Sequence, residues 1–252
     1  AKWGRIGSAY IKHGEKAAAK NANEIIVLSQ SAQNYFRDSY GRETVFIPNG
    51  MDSKTTLPAR LIADRWGLSQ GSYILYLSRL VPEKRPELLI EAFRALKTQK
   101  RLVVAGAGSD TSEYENQLHS LANGDERILF TGFVTGSLLA ELYSNAYCYV
   151  LPSDVEGMPM SLLEAMAYGR TCVTSDIPEC ADVLGNTGVT FPRGDASALG
   201  RVLEELLATP AKIRRLGIKA TARVEDNFGW SLVVEKTLAL YEGLENEDFA
   251  CK

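Results

Sequence analysis

"YCYVLPSDVEGMPMSLLEAMAYG", residues 147–169, changes period twice. Its first five residues are apolar and aromatic, with no polar position between them. Such a run reads as a strand covered on both faces. Pro152, Gly157 and Pro159 then interrupt any regular element, and from Met160 the apolar positions recur at helical spacing. Strand, loop and helix follow one another in the order that builds a parallel sheet. Two carboxylates, Glu156 and Glu164, stand in the loop and in the following helix. Gly157 and Pro159 lie between them, so the pair does not share one helix face.

The same unit repeats along the chain. Strands are expected at 24–28, 44–47, 73–78, 101–105, 127–131, 147–151, 171–175 and 188–191. Helical periodicity fills 8–20, 31–40, 86–98, 111–122, 136–144, 160–168, 196–207, 210–225 and 230–243. Alternating strands and helices imply an α/β fold, a Rossmann-like doubly wound parallel sheet. A polar stretch, "IPNGMDSKTTLPARLIADRWGLSQGS", interrupts the alternation and sets a domain boundary near residue 52. Three segments are expected: 1–52, 53–229 and a C-terminal helix and tail at 230–252. The first holds two strands and two helices, too few to cover a sheet. It is therefore expected to be the remnant of a larger N-terminal domain.

The 252 residues are 45% hydrophobic and 23% charged, a globular composition, and the net charge of −3 gives no basic surface for nucleic acid. No apolar run is long enough for a membrane span, and no secretory signal is evident. Cys148, Cys172, Cys180 and Cys251 form no C-x-x-C pair and read as buried or free thiols of a reducing compartment. His13 and His119 fall in polar helical stretches and read as solvated.

In an open parallel sheet, ligands gather at the carboxyl ends of the strands. After 73–78 come Arg79 and Lys84, one offering phosphate a planar fork and the other a mobile point charge. After 101–105 comes "GAGSD", with Gly106 and Gly108. A full G-x-G-x-x-G would need glycine where Thr111 stands, so a tight turn lining a pocket is the better reading. After 127–131 comes "GFV", with Phe133 and Val134, and after 147–151 come the two glutamates. Pro159 suits the first position of a helix, which leaves the amides of Met160 and Ser161 aimed outward where the dipole attracts anions. A plainer reading also exists. Ser161-x-x-Glu164 fits a capping box, and Ser153-x-x-Glu156 resembles one.

Taken together, "PNGMD", "SRLVPEK", "VAGAGSD", "FTGFV" and "LPSDVEGMPMSLLEAMAYG" resemble the retaining family-4 glycosyltransferases of the two-Rossmann, GT-B, type. The resemblance runs from about residue 20 to the end, and Glu156 and Glu164 match that family's paired glutamates with seven residues between them. It implies a donor-binding half with the end of an N-terminal domain. Arg79 and Lys84 would hold the diphosphate of a UDP-, GDP- or ADP-sugar. Glu164 would bond the ribose hydroxyls. Glu156, with the amides of Gly157, Met158 and Met160, would meet the donor sugar and phosphate. Phe133 and Val134 would line the base, and 230–243 would cross back to the N-terminal domain. The family's acceptor site would lie upstream of residue 1, so this chain alone is expected to transfer little. No two Asp stand two positions apart, so cations in place of a metal are expected, with no cofactor. The acceptor is open: a glycan, a lipid or a small molecule. A cytoplasmic place is expected, with peripheral attachment to the inner face of a membrane left open. The alternatives carried are a sugar-nucleotide epimerase of the same fold and a non-catalytic nucleotide-sugar-binding module.

Overall fold

The computed structural model describes residues 4–108 and 112–250. The chain divides into two compact units, one of residues 1–49 with 231–252 and one of residues 50–230. In the first, α1 (Gly4–Asn21) precedes β1 (Ile26–Val27), α2 (Gln30–Tyr40) and β2 (Val45–Phe46). The two short strands pair in parallel. Ser29 caps α2 by accepting from the amide of Ala32 at 3.2 Å, and Gly41 closes it in the left-handed region. Most of α11 (Trp230–Ala250) belongs to this unit.

The second unit opens with α3 (Leu61–Trp66) and then alternates strictly. Its strands are β3 (Tyr73–Leu77), β4 (Arg101–Ala105), β5 (Ile128–Gly132), β6 (Cys148–Leu151), β7 (Cys172–Ser175) and β8 (Val189–Phe191). Between and after them come α4 (Pro86–Ala95), α5 (Ser112–Ala122), α6 (Gly136–Asn145), α7 (Met160–Ala167), α8 (Pro178–Leu184), α9 (Ala196–Ala208) and α10 (Pro210–Phe228). All six strands run parallel in the order β5-β4-β3-β6-β7-β8. The direction of winding reverses between β3 and β6, and a crevice opens there at the carboxyl ends.

Side chains alternate across this sheet, so neighbouring residues of one strand enter different cores. Tyr73 and Leu75 of β3 join a core with α3, α6, α7 and α10. Ile74 and Tyr76 join the opposite core with α4, α5 and α9. Both layers are built of buried apolar side chains, which is why the strand runs carry no polar alternation. Cys148, Cys172 and Cys180 are free and buried here, and burial pushes the Cys148 thiol up to about 12. Cys251 lies outside the described residues.

Two short helices, α3 and α8, escape the sequence pattern. The first residues of α3 are capped from a distance: the buried carboxylate of Glu141 accepts the amides of Arg60 (2.9 Å) and Ile62 (3.1 Å). No local Ser, Thr, Asp or Asn marks that start. Among the described residues, no helix is long and apolar enough to cross a membrane.

Candidate functional site

Three loops at the carboxyl edge of β3, β4 and β5 form a cleft of about 360 Å³. Ser78 and Arg79 line it from the first loop, Gly106 and Gly108 from the second, and Phe133 and Val134 from the third. Backbone bonds hold the loops together: Ser78 N to Ala105 O at 3.2 Å, Gly106 N to Gly132 O at 3.0 Å and Leu80 N to Ala107 O at 3.0 Å. Gly106 has φ +141°, and a Cβ there would fall 1.9 Å from Ser78 O. The position therefore admits only glycine. The strand register shifts where β4 meets the end of β5, a bulge that ends the ladder just before Phe133. Phe133 is 79% exposed and stands at the cleft with its ring in solvent, an unusual place for so apolar a side chain. Ser109, Asp110 and Thr111 lie outside the described residues.

Lys84 ends a 3-10 turn (Pro82–Lys84) in the loop after β3. Its ammonium makes an ion pair with Glu156 at 2.7 Å and donates to Val155 O at 3.3 Å. The side chains of this pair are only 11% and 8% exposed. Glu156 also accepts from the Ser153 hydroxyl at 2.7 Å. The serine thus bonds the glutamate directly, with no helix for the pair to cap. Gly157 is exposed with open space around it, Met160 is exposed, and Met158 packs partly against the core.

The sequence expectations for α7 need correction at its start. Pro159 precedes the helix as its cap residue instead of occupying its first position, and the helix begins at Met160. Leu162 and Leu163 are the first donors to Pro159 O, both at 3.1 Å, which leaves the amides of Met160 and Ser161 without an intrahelical acceptor. The Ser161 hydroxyl accepts from Tyr149 at 2.8 Å, from within the helix, so Ser161-x-x-Glu164 is not a capping box. Glu164 lies a full turn in, not in the first turn. Burial raises its carboxyl above the usual carboxylate range, while the Tyr143 hydroxyl and the charge of Lys54 partly offset this.

Lys84 and Glu156 thus meet directly, Arg79 stands with the glycine cleft, and Glu164 stands with Tyr143 and Lys54. Sequence reasoning missed Lys54, Tyr143, Arg85 and Asp154. Arg85 Nη1 donates to Asp154 Oδ2 at 2.8 Å, on the same loop as Glu156. Among the described residues, no group of three or more His, Cys, Asp or Glu is placed to hold a metal ion.

Residues 63–223, which include all six strands and both glutamates, match the family described as glycosyl transferases group 1. The chain belongs to that family. This glycosyl transferase domain is 30% identical to a phosphatidyl-myo-inositol mannosyltransferase of Mycobacterium leprae over 225 residues, 86% of the chain and 58% of the relative. It is 23% identical to an alpha-D-kanosaminyltransferase of Streptomyces kanamyceticus over 250 residues, 94% of the chain and 64% of the relative. Among solved structures, sucrose-phosphate synthase of Thermosynechococcus elongatus superposes with a TM-score of 0.81 at 29% identity, over 94% of this chain and 61% of that one. Anabaena HepE, crystallised with UDP and glucose, superposes with a TM-score of 0.83 at 21% identity, over 94% of this chain and 67% of that one, a likeness of fold alone. The chain spans between 23% and 65% of the length of the curated relatives it matches, and 58% of the Mycobacterium leprae mannosyltransferase. Its fold is α/β and Rossmann-like, of the GT-B type.

Proposed function

We propose that the chain binds a nucleotide-sugar donor at the carboxyl edge of the 50–230 unit, for transfer of the sugar to an acceptor with retention of configuration. One observation carries the reading. Two cations, Arg79 and Lys84, leave the end of β3, while Glu156 and Glu164 follow β6, on the two sides of the point where the winding reverses. The family and the mannosyltransferase relative support the same chemistry.

In this reading Arg79, Lys84 and the Met160 and Ser161 amides face the diphosphate. Cleavage of the glycosidic bond loads negative charge onto the leaving phosphate, and fixed donors aimed there lower the barrier. Arg79 is exposed and ready. Lys84 is shared with Glu156, so a bound diphosphate draws on an ammonium already fixed in place. Gly106, Gly108, Phe133 and Val134 form the wall for the base and ribose. Glu164 takes the ribose hydroxyls, and Glu156, with Gly157 and Met158, takes the sugar. Residues 1–52 and 230–252 are assigned to the acceptor side. The cations serve the charge that a metal serves elsewhere, so no metal or cofactor is invoked.

The test is calorimetric titration of the chain with UDP, GDP and ADP in chelator. Saturable one-to-one binding of at least one is expected, weakened about tenfold or more by Arg79→Ala, the size of one charge-assisted bond. No binding by any of the three, or binding only with added magnesium or manganese, overturns the metal-free donor site.

A further inference from the structure

Arg85 has φ +51°, and among the described residues it is the only one other than glycine with positive φ. Left-handed backbone suits glycine, and a side chain held there marks a site where the surroundings dictate the conformation. The surroundings here are specific. Arg85 closes the 3-10 turn, its amide bonding Pro82 O at 3.2 Å, and starts α4, its carbonyl accepting from Leu88 at 3.1 Å. Its guanidinium bonds Asp154 at 2.8 Å and forms an ion-pair contact, off hydrogen-bond alignment, with Glu87 at 2.5 Å. Tyr114 of α5 donates to that glutamate in turn. A further bond, Asp154 N to Glu83 O at 2.9 Å, joins the same two loops. The left-handed residue thus lets two successive cations reach the same short loop. Lys84 takes its far end at Val155 and Glu156, and Arg85 takes its near end at Asp154.

We infer that Arg85 and Asp154 form a latch across the crevice, a pair of positioning residues that hold Lys84 and Glu156 in register for the donor. The inference rests on the donor-site reading for its function, but the latch itself is a property of the free protein. An exposed ion pair without this role would be worth little. What separates the two is that the latch partners sit immediately beside the pair that meets the ligand, on both loops.

Arg85→Gly removes the latch while relieving the backbone, so it does not lower the melting temperature. Amide hydrogen exchange of the ligand-free chain should then quicken about tenfold or more at Asp154, Val155 and Glu156, with α10 unchanged. Asp154→Asn should give the same local quickening, and the double variant no more than either single one. Affinity for the nucleoside diphosphate that binds best should fall about tenfold in each, with partial rescue in Arg85→Lys, which keeps the charge but not the fork. Unchanged exchange in Arg85→Gly, or additive effects in the double variant, overturns the latch. Quickened exchange with unchanged affinity overturns its positioning role. Should the native chain bind none of UDP, GDP and ADP, the donor-site reading falls and so does the positioning role, while the exchange experiment still decides whether the latch exists.

Discussion

Glu164 and Glu156 are both carboxylates of the 151–169 stretch, yet their surroundings ask different things of them. Glu164 is half-buried, and burial raises its carboxyl above 4.5. Protonation in the window between 4.5 and that raised value relieves a desolvated charge, so the fold gains slightly as pH falls through it. Ligand affinity moves the other way, because only the anion makes charge-assisted bonds to ribose hydroxyls. Nucleoside diphosphate affinity is expected to fall as pH drops through this window. Glu164→Gln should lower affinity by roughly ten- to a hundredfold at neutral pH and erase the part of the pH step that the phosphate's own titration does not supply. Titrations of both proteins across the range check this, and an identical pH step in the variant refutes it. Glu156→Gln behaves differently because Lys84 depends on that charge. Removing one partner of a nearly buried pair destabilises by about 3–5 kcal/mol. At the same time the freed ammonium takes a diphosphate as its counterion, so the affinity should hold or rise while the melting curve moves down. A variant that melts like the native chain contradicts this.

At the scale of elements, the glycines show where backbone meets backbone. An ideal Cβ on Gly106 would lie 1.9 Å from the carbonyl oxygen of Ser78, a residue held beside β4 by the hydrogen bond from its amide to Ala105 O. Gly106→Ala is expected to cost about 2–4 kcal/mol and to abolish nucleotide binding, read by melting and calorimetry. Gly217 of α10 similarly faces Gly169 O, at 2.3 Å from its ideal Cβ, and fixes how closely that helix lies on the turn after α7. The strands were legible because runs such as YILYL and CYVL are apolar on both faces, a pattern few other elements share. The places of Arg79, Lys84 and Glu156 were legible because they fall in the loops that follow those runs. What stayed hidden depended on distance or on dihedral angle. The cap of α3 comes from Glu141, about eighty residues onward. Tyr143 reaches Glu164 from another helix. Arg85 reads as a surface cation before a proline, since nothing in the letters reveals its φ. Ser161-x-x-Glu164 shows the opposite failure, a motif whose spacing is right and whose helix begins two residues too early for it.

For the molecule as a whole, every candidate residue and both hydrophobic layers belong to the 50–230 unit. A chain of residues 50–230 alone is expected to fold cooperatively and to bind the nucleoside diphosphate within a few-fold of the 252-residue chain. Thermal unfolding and calorimetry check both halves of this, and loss of the cooperative transition would show that the first unit completes the fold. The ends of the 50–230 unit bear on the same point. Met51 N bonds Phe228 O at 2.7 Å, Trp230 N bonds Asp52 at 3.2 Å, and the Trp230 ring lies where a Cβ on Gly50 would fall, 2.4 Å from its Cδ2. The unit therefore starts and finishes at one point, and the order in which its strands are joined is nearly cyclic. A linker of a few residues from Trp230 back to Gly50 would close it into a ring, which could be reopened at the exposed turn around Gly124 to give a circular permutant with the same sheet and the same edge.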